Sequence, residues 1–222
     1  YYRSTTGGIT WEKSLPVPGN GWAHTDAERN GDHAYIVSES EIDASADILM
    51  YITDDQGATW NWDNPVVVGH REGPGREYPI VSVGADGTVW CLWNEAPDPD
   101  SNGTRLFVGR SVDYGRTWDT FNITTIKGYY DYPTINGGPD GSVAVAYYVT
   151  TTVPLTDESE WYLMGAMQLN AASGELDLNF SKADPNPCYV GTNTHALHDF
   201  FEIAISPDMS LNIAYQFCVG PD

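Results

Sequence analysis

Apolar and polar residues alternate in short runs along the chain, and tight turns separate the runs. The segment Glu77-Tyr-Pro-Ile-Val-Ser-Val-Gly-Ala-Asp86-Gly87-Thr-Val-Trp-Cys-Leu-Trp93 has the same layout as Asp131-Tyr-Pro-Thr-Ile-Asn-Gly-Gly-Pro-Asp140-Gly141-Ser-Val-Ala-Val-Ala-Tyr147. A looser copy runs from Asp199 to Tyr215 and turns at Asp208-Met209, and the weakest turns at Asn30-Gly31 before His33. A period of two interrupted by an Asp-Gly turn predicts a half-buried β-hairpin at each copy. The turn positions 31, 87 and 141 are 56 and 54 residues apart, and 209 follows 68 residues later, so the last interval carries an insertion. No stretch sustains a helical period, and the chain is predicted to be all-β.

A second repeat lies between the hairpins. Ser4, Gly8, Thr10 and Trp11 recur at the same spacing as Thr53, Asp55, Gly57, Thr59 and Trp60, and again as Ser111, Asp113, Gly115, Thr117 and Trp118. The pattern is Ser/Thr-x-Asp-x-Gly-x-Thr-Trp. Its Asp accepts hydrogen bonds from backbone amides a few residues on, its Gly supplies a positive φ, and Thr-Trp restarts a strand. Thr6 stands in the Asp position of the first copy, which predicts a degenerate turn there. Internal repetition at this period points to a propeller or a solenoid.

The octapeptide resembles the Asp-box, or BNR, repeat of the sialidase superfamily and its many non-catalytic relatives. The resemblance implies a β-propeller of four-stranded antiparallel blades, with each box joining the third and fourth strands. On that reading residues 1–222 form one domain: a half-blade at 1–17, whole blades at 22–70, 76–126 and 131–182, and a second half-blade at 197–217. The third whole blade has lost its box, and Trp161 to Leu169 reads as its third strand. The halves make a four-bladed ring if they close on each other, and otherwise the chain is a segment of a larger propeller. A third arrangement has one chain's half-blade completing a neighbour's, a head-to-tail contact that does not close.

Charge narrows the partners. The chain has 31 Asp and Glu against 10 Lys and Arg, a net charge of −21, which repels nucleic acid and anionic membranes. No apolar window approaches the length of a membrane span, so no membrane insertion is expected. The composition suits an extracellular or cell-surface protein. Three sequons, at Asn102, Asn122 and Asn179, fit glycosylation on such a surface. Cys91 alternates inside a predicted strand and reads as a buried thiol, while Cys188 and Cys218 flank the last hairpin and are expected to bridge it. No cofactor is required, and Ca²⁺ is the cation that clustered carboxylates would attract.

The candidate site gathers at the starts of the innermost strands. It comprises Asp26, then Arg76, Glu77 and Tyr78, then Asp131 and Tyr132, and last His198 and Asp199. Glu77, Asp131 and Asp199 occupy equivalent places and are expected to face one another across the axis, as ligands to a cation or to a polyhydroxylated molecule. The resemblance implies, for catalytic members, an arginine triad on a substrate carboxylate, a Tyr nucleophile with its Glu, and an Asp acid. Only Arg76 supplies a guanidinium at such a position, and the family's Arg-Ile-Pro motif is absent. The expectation is therefore a non-catalytic propeller with no catalytic residues, acting in surface architecture and self-association through its half-blades or in recognition of a glycan or surface polysaccharide. The alternative is a sialidase-like exo-glycoside hydrolase.

Overall fold

The computed structural model describes residues 1–13, 16–18, 22–40, 45–72, 79–98, 103–197 and 201–215. A two-stranded ribbon, β1 (Tyr2–Arg3) and β2 (Glu12–Lys13), opens the chain. The first four-stranded sheet follows in meander order: β3 (His24–Ala27), β4 (Ala34–Glu39), β5 (Ala46–Thr53) and β6 (Val66–Arg71). The second repeats it with β7 (Ile80–Val83), β8 (Val89–Asp98), β9 (Gly103–Ser111) and β10 (Asp119–Asn122). The third contains β11 (Tyr129–Gly137), β12 (Val143–Thr150), β13 (Glu160–Gln168) and the two-residue β14 (Ser181–Lys182). A further short strand, β15 (Tyr189–Val190), pairs with the other end of β13 and had no signal in the repeat. A last ribbon, β16 (Glu202–Ile205) and β17 (Leu211–Ala214), ends the described chain. Every pairing is antiparallel. The fold is all-β and propeller-like, with the two ribbons as separate two-stranded sheets.

Strand alternation explains how the sheets stack. Side chains along a strand point to opposite faces in turn, so a strand between two other sheets must be apolar throughout. In β8, Trp90 and Leu92 pack with Val143, Val145 and Tyr147 of the third sheet. The intervening Val89, Cys91 and Trp93 pack with Tyr35, Val37, Ile48 and Met50 of the first. β12 behaves alike: its eight residues are all buried, and Ala144, Ala146 and Tyr148 turn to Phe201 and Ile203 of the last ribbon. Sheet approach is close enough that a Cβ on Gly69 would stand 2.5 Å from the Trp93 ring. Arg110 clamps the second sheet to the third. A solvated or cross-strand role is what its place beside the third turn suggests; it is buried, donates to the carbonyls of Ala171 and Gly174 at 2.9 Å each, and pairs across the strands with Asp119 at 2.8 Å.

The octapeptide turns share one hydrogen-bond scheme. The Thr59 amide and hydroxyl donate to the two Asp55 carboxylate oxygens at 2.8 and 2.6 Å, and Thr117 does the same to Asp113 at 2.9 and 2.6 Å. The Gly57 and Gly115 amides donate to the hydroxyls of Thr53 and Ser111, both at 2.9 Å, and both glycines hold a positive φ. The first copy departs from its expected degeneracy. The Thr6 hydroxyl accepts from the Thr10 amide at 2.9 Å and the Ser4 hydroxyl from Gly8 at 2.8 Å, so a hydroxyl takes over part of the carboxylate's task. The tryptophans diverge: Trp118 is partly buried and donates to the Gly115 carbonyl, Trp60 stacks on Trp62, and Trp11 is 62% exposed.

Of the remaining expectations, Cys91 is fully buried, as alternation implies. Cys188 is buried with its Sγ 3.1 Å from the Trp161 carbonyl oxygen, and Cys218 lies outside the described residues. Asn122 and Asn179 are exposed, and Asn102 lies outside the described residues.

Candidate functional site

The innermost strands β3, β7, β11 and β16 lie side by side in that order. Three of them are tied to the next by a side chain that accepts a backbone N–H. Asp26 Oδ2 takes the Val83 amide at 2.8 Å, Ser82 Oγ the Gly137 amide at 3.0 Å, and Asn136 Oδ1 the Ile205 amide at 3.1 Å. Asp26, Ser82 and Asn136 are 56 and 54 residues apart, the spacing of the turn glycines, so they are the same position in successive repeats. A short side chain with an acceptor is what the position needs, because a neighbouring strand's unpaired amide is there to be satisfied. The fourth copy is Ala204, which has no acceptor, and the Ala27 amide is met by Asp26 Oδ1 at 2.8 Å.

These strands line a cavity of about 470 Å³, the axial cavity. Its wall includes His24, Asp26, Ser82, Tyr132, Asn136 and Glu202, and Trp22, 60% exposed, stands at its rim. Burial lowers the pKa of His24, against the opposing pull of Asp26, Glu202 and the Val81 backbone. A neutral ring agrees with its Nδ1 accepting the Val81 amide at 3.4 Å. Asp26, expected as a ligand group, has both carboxylate oxygens on backbone amides and serves the strand junction.

Asp131 does not face the axial cavity. It lines a second cavity of about 200 Å³ at the junction of the second and third sheets, with Asn94, Tyr129, Trp161 and Thr194. The reason is a β-bulge: the register of β11 on β12 shifts between Asp131 and Thr134, and Tyr132 takes a left-handed φ of +46. That conformation is unfavourable for a bulky residue, and residues so held concentrate at functional sites. The bulge turns Asp131 toward the side cavity and leaves Tyr132 lining both. Burial raises the pKa of Asp131, opposed by the Tyr132 amide at 2.9 Å, by Thr194 and by the charge of His195.

Arg76, Glu77, Tyr78, His198 and Asp199 lie outside the described residues, which leaves Asp26, Asp131 and Tyr132 of the expected set. Of the expected cation ligands only Asp131 is described, and it stands apart from the axis. Among the described residues no group of three or more His, Cys, Asp or Glu is placed to hold a metal ion. No Lys or Arg among the described residues lines either cavity. Sequence reading missed Asn94, Ser82, Asn136 and Glu202. For Ser82 and Asn136 the signal was available, since both sit at the repeat spacing from Asp26.

No protein-family model and no curated protein matches the chain. Solved structures similar in fold include the GH93 alpha-L-arabinofuranosidase of Fusarium graminearum in complex with arabinobiose, at TM-score 0.55 and 14% identity over 82% of this chain and 57% of that one. The alpha-L-arabinanase of Penicillium chrysogenum complexed with arabinobiose gives TM-score 0.53 and 15% identity, again over 82% and 57%. The Hadza microbial sialidase Hz136 is weaker, at TM-score 0.45 and 18% identity over 68% of this chain and 34% of that one, and carries no weight. The chain spans a little over half the length of the two arabinan-named proteins, and what it shares with them is the fold.

Proposed function

We propose that the mouth formed by the inner strands recognises carbohydrate, and that the chain works as a glycan-binding propeller module. The observation that carries this reading is the composition of the axial cavity. It combines an exposed indole at the rim, further aromatic surface from Tyr132 and Phe201, and hydroxyl, amide and carboxylate groups in its wall, with no cation among the described residues. Concave sites with an apolar platform and a few fixed polar groups suit molecules that have both hydroxyls and a C–H face. The arabinobiose held by two proteins of similar fold supports the same class of ligand. Calorimetric titration with arabinobiose and a panel of uncharged oligosaccharides tests it, with Trp22→Ala expected to weaken binding about tenfold. Failure of every member of the panel to bind at millimolar concentration would sink the reading.

A second reading, glycoside hydrolysis, draws support from one feature. The half-buried Asp131 has its pKa raised by desolvation, and Glu202 stands exposed in the adjoining cavity, so two carboxyl groups meet the two spaces in different surroundings. Reducing-sugar release from linear arabinan, abolished in Asp131→Asn, would establish it. Turnover of an aryl sialoside would specify the sialidase type.

A further inference from the structure

The side cavity holds a feature that nothing else in the molecule uses. Even positions of β8 face the third sheet, and Asn94 continues the row begun by Trp90 and Leu92 into the junction. Its register partner is Leu106, toward the end of the sheet remote from the Ser111 turn. Asn94 is 4% exposed, and its Oδ1 has no hydrogen-bond partner. A buried amide oxygen without a donor is uncommon in native proteins and calls for a missing partner. The residue that bears it lines an open cavity.

The rest of the wall limits what that partner is. Trp161 is held by its indole N–H on the Gly191 carbonyl at 3.1 Å and gives, with Tyr129, a fixed aromatic surface. The carboxyl of Asp131 faces the same space, and no Lys or Arg among the described residues does. An anionic ligand would share this recess with a carboxyl group and with no described cation to pair with. The volume of about 200 Å³ falls below the roughly 300–1,000 Å³ of drug-sized sites, a size that suits one sugar ring. Tyr132, in its left-handed conformation, lines both this cavity and the axial one, so the two spaces adjoin there.

The geometry points to the side cavity as a pocket for a single uncharged sugar unit, the terminal residue of a glycan whose other units lie in the axial mouth. A hydroxyl of that unit donates to Asn94 Oδ1, and its C–H face meets the aromatic wall. The inference rests on the carbohydrate reading above and adds to it the charge class and the end of the chain that is recognised.

The test uses the wild-type protein with ¹⁵N-labelled tryptophan. Arabinobiose, methyl galactoside and methyl glucoside are titrated singly, with methyl N-acetylneuraminate as the anionic control, while the Trp161 indole resonance is followed. At least one uncharged glycoside is expected to shift that resonance and to bind about tenfold more weakly to Asn94→Ala. Methyl N-acetylneuraminate is expected to leave it unmoved. Binding that neither shifts Trp161 nor responds to Asn94→Ala would overturn the side pocket and leave the axial reading standing. Tighter binding of the anionic sugar would overturn the charge class, and no binding by any of the four would remove both proposals together.

Discussion

At the scale of single residues, the Asp positions of the turns and one buried ion pair dominate. Asp55 is held at about 2, first by the Thr59 hydroxyl and then by the Thr59 amide and Thr53. At Asp113 burial pulls upward, and the Thr117 hydroxyl and amide, Ser111 and the Arg116 amide outweigh it to give about 2. A carboxylate whose pKa is lower folded than unfolded stabilises above its unfolded value, here 3.8, and that contribution is lost as pH falls toward 2. Urea midpoints should therefore drop between about pH 4 and pH 2, and less so in Asp113→Asn. In the first sheet, Arg71 Nε donates to Glu39 Oε1 at 3.0 Å with both side chains essentially inaccessible. Burial pushes Glu39 up to about 7 against the opposing charge and hydrogen bond of Arg71. Arg71→Met leaves the Glu39 carboxyl buried without its guanidinium, so it should lose about 3–5 kcal/mol in denaturant unfolding, and adding Glu39→Leu should recover part of that loss.

At the scale of elements, the side chains between inner strands decide which pieces move together. The Asn136 bond is a side-chain tie between β11 and the amide of Ile205 on β16. Asn136→Ala should raise hydrogen exchange across 202–214 while 80–95 and 104–111 stay protected. The opposite result, unchanged exchange at Ile205, would show that Phe201 and Ile203 hold the ribbon by packing alone. The link from β3 to β7 through His24 adds a pH dependence. Its folded pKa lies below 6.5, so the unfolded chain takes up the proton first, and stability contributed there falls as pH drops below 6.5. His24→Gln should flatten that part of a stability profile measured between pH 7 and pH 5.

At the scale of the whole molecule, charge and repetition act together. A net charge of −21 on 222 residues opposes compaction by self-repulsion. Raising salt from about 0.01 M to about 0.15 M shortens the screening length from about 30 Å to about 8 Å, and the melting temperature should rise. A fall in melting temperature would mean that ion pairs such as Arg110–Asp119 outweigh the repulsion. The three bonded inner junctions, with Ala204 at the fourth equivalent position, give the stack of sheets a direction: firm from β3 through β16, and without this bond beyond it.

How much of this was legible in the residues differs by level. The all-β class, the strand–turn–strand unit and its period follow from alternation and turn chemistry, because both act between residues close in sequence. So do Asp55 and Asp113, whose partners lie four residues away. The burial of Arg110 was hidden because its acceptors come from Ala171 and Gly174, in another sheet. The cavity at Asn94 was hidden for the same reason, since its walls come from β8, β11 and β13. The placement of Asp131 was misjudged because a bulge reverses which side of a strand a residue faces, and the alternating pattern around Tyr132 gave no sign of it. The sequence by itself determined the repeating unit, since that is set by local hydrogen bonds and period. Only the tertiary structure decided which groups share a cavity, because that depends on how one unit meets the next.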